Sequence, residues 1–309
     1  MFDGLLITAG QTLVLFLLMG LGALLRRVRL LDGAGVRTLS GIVVNVTTPA
    51  IILAAFQCPF DSSRLAGLGW SVAMAAVWYA AGFVASRWFF KGDDDETKAL
   101  RWAVMFSNCG FMGLPLEQAL FGEAGVFYGI VPIAMFNLLA WTYGVSIYRP
   151  LRGWRDFVKG MAVPANVALA VALALFFLPW RLPEPVLSPI RHVAAMNTPL
   201  PMLVMGYYLG GADFRAVFGS ARTLRMLFLR HLAIPALLAG ALALMTFAPA
   251  ELRLIAVVPA AAPVGALLTV FAVQYGGDAE FSTAVVSVST LLSILTIPLV
   301  VAVSQLAFG

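Results

Sequence analysis

Five residues that sit badly in an apolar helix fall within ten positions of one another: Asn108, Gly110, Gly113, Pro115 and Glu117, in the stretch SNCGFMGLPLEQALFG. Pro115 lacks an amide donor and its ring crowds the preceding turn, while Gly110 and Gly113 loosen the backbone beside it. The spacing predicts a helix that unwinds over residues 108–115. Such a break frees backbone N–H groups and exposes the positive end of a half-helix dipole, worth about half a charge. That is the chemistry of an anion site built from backbone. The stretch PAAAPVGALL, with Pro259, Pro263 and Gly265, holds the ingredients of a second break. Two such ends that met would hold a carboxylate without a fixed cation, and no Lys or Arg is expected deep in any apolar run. Asn45, Thr47, Thr48, Asn108, Asn137, Asn197 and Thr198 add side-chain donors. The competing role for these residues is packing and kinking, since Gly, Pro, Ser and Thr are common in helices that pack in lipid. Gly110 and Gly113 taken alone fit packing. The Asn–Gly–Pro cluster as a whole fits the anion site, and Asn137 fits either the site or a bond to a neighbouring helix.

The elements that position these residues follow from composition. Of 309 residues, 61% are hydrophobic and 11% charged, with a mean hydropathy of +0.93, against about a quarter charged in a soluble domain. Such a chain cannot cover a globule with polar side chains; it belongs in a membrane. A spanning helix takes about 20 residues. Ten apolar runs qualify, at roughly 5–25, 38–57, 66–88, 101–121, 124–148, 161–178, 187–209, 225–247, 253–275 and 281–306. Strand-period alternation is absent, which argues against an outer-membrane barrel. The polar connections RRVRLLDGAGVR, KGDDDETK and RPLRGWRDFVKG leave no room for a soluble domain.

Charge gives an orientation. No basic residue precedes the first run, and Arg26, Arg27 and Arg29 follow it, as in an uncleaved first span with its N-terminus outside. Sixteen of the 20 Lys and Arg residues then fall on the cytoplasmic side, leaving Arg64, Arg181, Arg191 and Arg253 outside. The positive-inside rule is obeyed, and ten spans return the C-terminus to the outside. The formal charge of +5 is thereby a matter of topology in the cell (inner) membrane and does not call for a nucleic-acid partner. Cys58 and Cys109 lie too far apart in this arrangement to pair, and read as small buried side chains.

Polar landmarks recur across the chain. NVTTPAIIL contains Asn45, Thr48 and Pro49; MNTPLPMLV contains Asn197, Thr198 and Pro199, with a two-residue shift for the Asn. Pro49 and Pro199 are 150 residues apart, and Pro115 and Pro263 are 148 apart. Both offsets carry span n onto span n+5. A five-span unit repeated once is necessarily inverted, and inverted repeats with interrupted helices at matching places point to a secondary transporter. The expected division is residues 1–148, a short cytoplasmic connection 149–160, and residues 161–309. The fold class is therefore all-α: ten transmembrane helices in two inverted five-helix repeats, with helices 4 and 9 broken and crossing.

The stretches VNVTTPAIIL, SNCGFMGLPLEQALFG and MFNLLAWTYGVSIY together resemble the auxin efflux carrier family of permeases, over essentially the whole chain. The resemblance implies a crossed-helix fold similar to sodium/proton antiporters and bile acid symporters. It also implies a homodimer formed through the first two spans of each repeat, and a transport domain that moves as an elevator. Plant members carry auxin, and bacterial ones are described as malate or malonate permeases. This chain lacks the long central loop of the large plant carriers and the acidic residue of their third span, since residues 66–86 contain none. Those departures favour a small mono- or dicarboxylate over indole acetate.

Glu117 is the carboxylate placed inside a span. It either carries a proton with substrate, as an intramembrane carboxylate can, or lies near the surface beside Glu123 and the turn FGEAG, hydrated. Sodium coupling and uniport stay open beside proton coupling. His192 and His231 each follow an Arg at a span end and read as interfacial anchors; two isolated His do not make a metal site, and no cofactor is called for. The run DDDE at 93–96 reads as a hydrated turn. An intramembrane enzyme would need a nucleophile–base pair or metal ligands on facing helices. Neither those motifs nor a phosphate-binding loop occurs. An anion channel or a membrane sensor on the same fold is the remaining alternative.

Overall fold

The computed structural model describes residues 2–150, 153–154, 158, 162–178, 180–211, 217 and 219–308; most of the expected central connection, 149–160, lies outside the described residues. Among these the chain is helical, with no strand. Helix α1 runs Phe2–Arg27, α2 Gly33–Ala55 through a π turn at Val43–Thr47, and α3 Ser62–Phe89. Then follow α4 (Asp95–Met105), α5 (Cys109–Tyr148), α6 (Pro164–Phe177), α7 (Glu184–Ala195) and α8 (Pro199–Leu209). The chain ends with α9 (Ala221–Ala243), α10 (Ala250–Ala261), α11 (Leu267–Tyr275) and α12 (Ala279–Phe308). Six of them, α1, α2, α3, α5, α9 and α12, are each long and apolar enough to cross a bilayer. The protein is a multi-pass membrane protein.

Local chemistry sets the ends. Asp32 accepts from Gly35 N–H at 2.7 Å, Asp61 from Ser63 N–H at 3.0 Å and Asp94 from Thr97 N–H at 2.9 Å, capping α2, α3 and α4. Pro opens α6, α7 and α8 within the first turn, where a missing N–H costs nothing. Helix α5 is 40 residues long, and Gly122 folds it back on itself with φ 59° and ψ −136°. A side chain at that position would be strained. The expected fourth and fifth spans thus share one helix, and the N-terminal half of the expected fourth is the separate α4.

The DDDE run does more than turn. Asp94 also accepts from the Thr97 hydroxyl, while Arg222, at the start of α9, pairs with Asp94 at 3.6 Å and with Glu96 at 3.5 Å. The Thr97 bonds hold the Asp94 carboxyl below the ordinary carboxylate range. Its stabilisation is present above the unfolded value, about 3.9, and is lost as pH falls through the lower folded value. Asp94→Ala is expected to cost about 1 kcal/mol, read as a lower melting temperature. Asp94→Asn, which keeps a capping oxygen, should recover most of it and lose the acid sensitivity.

Candidate functional site at the helix crossing

The chain leaves helical geometry after Met105 and re-enters it at Cys109, and does so again between Ala261 and Leu267. At these points two extended segments lie side by side and antiparallel, bridged at Ser107 and Val264. Asn108 N–H donates to the Pro263 carbonyl at 2.6 Å, and Gly265 N–H to the Phe106 carbonyl at 3.0 Å. Val264 N–H donates to Ser289 Oγ on α12 at 2.8 Å. Unpaired backbone is costly in lipid, and each break here supplies partners for the other.

This differs from the sequence expectation in two ways. The first break covers residues 106–108, not 108–115, because a π turn at Cys109–Gly113 shifts the hydrogen-bond register ahead of Pro115. Pro115 then falls in the first turn of the α-helical part that follows. Pro259 likewise stays inside α10, and only Pro263 and Gly265 lie in the second break. The other difference concerns the amide ends, which are not all bare. Those of Asn108, Val264 and Gly265 are taken as described, and Phe111 N–H donates to Asn108 Oδ1 at 3.3 Å. Cys109 and Gly110 at the start of α5, with Ala266 and Leu267 at the start of α11, have no backbone acceptor among the described residues. A Cβ built on Gly110 meets nothing within 4 Å, so that amide end borders open space. A Cβ on Gly113 would lie 3.3 Å from Pro259 Cα, so Gly113 serves the approach of α5 to α10.

A fixed cation is present after all. Arg230, in the middle of α9, is fully buried. Its Nε donates to the Ala262 carbonyl at 3.3 Å, Nη2 to Ala260 and Ala262, and Nη1 to Val104 at 3.5 Å. These carbonyls belong to the C-terminal ends of α4 and α10, the negative ends of two dipoles. The guanidinium also lies 5.6 Å from the Trp78 ring. Arg253 repeats the device at the ends of α9 and α12, donating to Leu242 and Phe308 carbonyls, each at 3.3 Å. Four half-helix ends therefore meet at the crossing: two negative ones satisfied by Arg230, and two positive ones, those of α5 and α11, without a counter-charge from Arg230's side.

The Asn and Thr residues divide. Asn197, in the break between α7 and α8, accepts at Oδ1 from Thr47 at 3.0 Å and Thr48 at 3.1 Å, joining the matching polar landmarks of the two halves. Asn108 Nδ2 donates to Met205 Sδ on α8 at 3.1 Å, linking the crossing to that joint. Thr198 opens α8 half-buried, without a capping bond. Asn45 is exposed and donates to the Gly41 carbonyl of its own helix at 2.8 Å, away from the crossing. Asn137 is half-buried, one residue after Phe136, whose ring lies against Gly265.

Glu117 is fully buried, and among the described residues neither carboxylate oxygen has a partner, which argues against a hydrated position. The backbend at Gly122 lays Gly125 and Gly129 over it; a Cβ on Gly129 would collide with its carboxylate. His231 is buried too, its ring nitrogens at 2.8 Å from Ser289 Oγ and 2.9 Å from Thr296 Oγ1. It is not an interfacial anchor: α9 begins early enough to carry it inward. His192 is exposed, with Nδ1 2.8 Å from the Ser188 carbonyl of its own helix. Sequence reasoning missed Arg230, Ser289 and Ser107, whose hydroxyl is buried at the crossing beside Cys109. The run SVSTLLS, dense in hydroxyls for a span, was the available sign of Ser289.

Comparison with known proteins accords with this architecture. A family model described as membrane transport protein matches residues 8–157 and 154–301. An uncharacterized transporter from Methanothermobacter thermautotrophicus is 26% identical over 304 residues, covering 94% of this chain and 96% of that protein. With apolar helices of spanning length, two breaks paired across the middle of the molecule and a family match over nearly its whole length, the chain belongs to the membrane transport protein family of the auxin efflux carriers, and is a transporter.

Proposed function

We propose that the protein moves a small organic anion, a mono- or dicarboxylate, by alternating access, binding it at the crossing of helices 4 and 9 of a ten-span fold. In this reading α4 with the first arm of α5 makes span 4, the second arm span 5, α7 with α8 span 7, and α10 with α11 span 9. Residues 1–148 and 161–309 are the inverted repeats joined by 149–160. The antiparallel bridge at Ser107 and Val264 supports this, because inverted units must cross in opposite directions. So does the Thr47/Thr48–Asn197 joint between matching landmarks.

The observation that carries the anionic substrate is the asymmetry of the four helix ends. Arg230 already serves the carbonyl ends, so the unserved partial charge at the crossing is positive. The substrate site then consists of the amides at Cys109 and Gly110 and at Ala266 and Leu267, with Asn108, Pro115, Pro263, Gly265 and the Ser107 hydroxyl shaping it. An arginine on the carbonyl ends also removes the oxygen cage in which sodium would sit. That favours a proton as the coupling ion, with Glu117 as its carrier. The protein lies in the cell (inner) membrane with both termini outside, as a homodimer through the first two spans of each repeat.

The test is uptake of labelled malate, malonate and indole acetate by purified protein in liposomes. Saturable uptake with counter-substrate exchange is the expected outcome; unsaturable conductance would identify a channel instead. Asn108→Ala removes the cap on Phe111 and the contact to Met205. It should lower uptake about tenfold, the worth of one or two hydrogen bonds, while leaving membrane insertion intact. Native uptake by this variant would overturn the assignment.

A further inference from the structure

A cavity of about 540 Å³ opens on one face of the molecule, separate from the crossing. Its walls are the end of α2 with Gln57 and Cys58, Arg64 on α3, Gln118 and the bend of α5, and Arg191 on α7. Gln118, Glu123 and Arg191 are exposed at its mouth. Ile51, one turn beyond Thr48, and Ala194, one turn before Asn197, line its floor, so it leads toward the joint beside the crossing.

Two arginines meeting here is unexpected from topology. Only four of the 20 basic residues fall on this side of the chain, where the positive-inside bias selects against them. Two of those four converge on a single cavity. Arg64 lies 5.7 Å from the Phe127 ring, and no carboxylate pairs with it among the described residues. Among the described residues Arg191 pairs with Glu184, at 3.2 Å, and both are well exposed. An exposed pair of this kind is worth under about 1 kcal/mol, so an incoming carboxylate can replace Glu184. Gln57 and Gln118 offer further amide donors. Of the charged residues in the lining itself, two are cations and one, Glu123 at the mouth, is an anion; Glu184 on Arg191 and Asp61 near Arg64 stand just outside it.

We propose that this cavity is a docking subsite in which Arg64 and Arg191 capture a small carboxylate from the outside before it reaches the crossing. The proposal rests on the transport reading for what happens next, but not for the binding itself. Arg64 and Arg191 are specificity-determining residues: they select anions and raise their local concentration.

Cys58 makes the test direct. It is half-exposed and lines the cavity, whereas Cys109 is buried. The rate of Cys58 modification by an anionic and by a cationic methanethiosulfonate is measured on protein in zwitterionic liposomes, with Cys58→Ser as the blank. The anionic-to-cationic rate ratio should fall about tenfold in the double variant R64Q/R191Q and rise in Glu123→Gln. Malonate should slow the modification in native protein, and not in the double variant; chloride at equal ionic strength should not slow it. An unchanged ratio in the double variant would overturn the proposal, as would protection by added phosphatidylglycerol with none by malonate, which would mark a lipid headgroup site. Malonate uptake is followed in parallel. Protection of Cys58 without uptake keeps the subsite and rejects the transport reading. Malonate uptake by native protein without malonate protection of its Cys58 rejects the subsite alone.

Discussion

Arg230→Met is expected to abolish uptake and to lower the melting temperature more than any other single change at the crossing. The guanidinium is the shared partner of the Val104, Ala260 and Ala262 carbonyls. Removing it leaves buried acceptors unserved, at a cost on the order of 3 kcal/mol. The functional loss should exceed the structural one, because the same group balances the negative ends of α4 and α10 and so leaves the ends of α5 and α11 free to attract an anion. Arg230→Lys separates the two contributions. An ammonium keeps the charge but is a point donor without the planar fork that spans both helix ends, so part of the uptake should return with a KM above native. A further consequence is specific to this arrangement. In Arg230→Ala the carbonyl cluster is vacated, and sodium, which favours such oxygen ligands, should stimulate whatever uptake persists. Native protein should show no sodium dependence. Undiminished transport by Arg230→Met would remove the electrostatic basis of the site.

The crossing could be read from sequence because its cause is local: Pro263, Gly265 and the Asn–Gly run interrupt a helix wherever they stand. The exact extent of the break could not, since a π turn absorbs Pro115 and depends on how α5 enters the bundle. Arg230 stayed hidden for a geometric reason. Hydropathy starts that run near residue 225, whereas the helix starts at Ala221, so Arg230 lies about 13 Å along it at 1.5 Å per residue, and its long side chain reaches further inward. His231 and Ser289 meet across 58 residues of sequence, and no spacing rule spans such a gap. Asn45 was misplaced by its alignment with Asn197. Asn45 stands four residues before Pro49 and Asn197 two before Pro199, and that shift of two residues is a rotation of about 200° on a helix. It turns Asn45 outward, while Thr47 and Thr48 face Asn197.

Glu117→Gln is expected to make substrate-driven uptake insensitive to pH and to end accumulation driven by a proton gradient, while counter-substrate exchange continues. The carboxyl group is enclosed by α5 itself, folded back at Gly122, with Gly125 and Gly129 against it. Among the described residues no donor and no cation serves its oxygens. A carboxylate without a partner in such surroundings carries a large desolvation cost, so any movement of Glu117 between this enclosure and water would be coupled to a proton. Glutamine has the same shape and no charge, so it should fold at native levels and stay permanently in the form that the enclosure accepts. Gly129→Ala supplies an independent check, since its methyl group would occupy the space of the carboxylate. That variant should impair uptake and destabilise the protein, and Glu117→Ala in the same chain should restore stability without restoring the response to pH. If Glu117→Gln retains the native pH dependence, the proton is carried elsewhere and Glu117 is a packing residue.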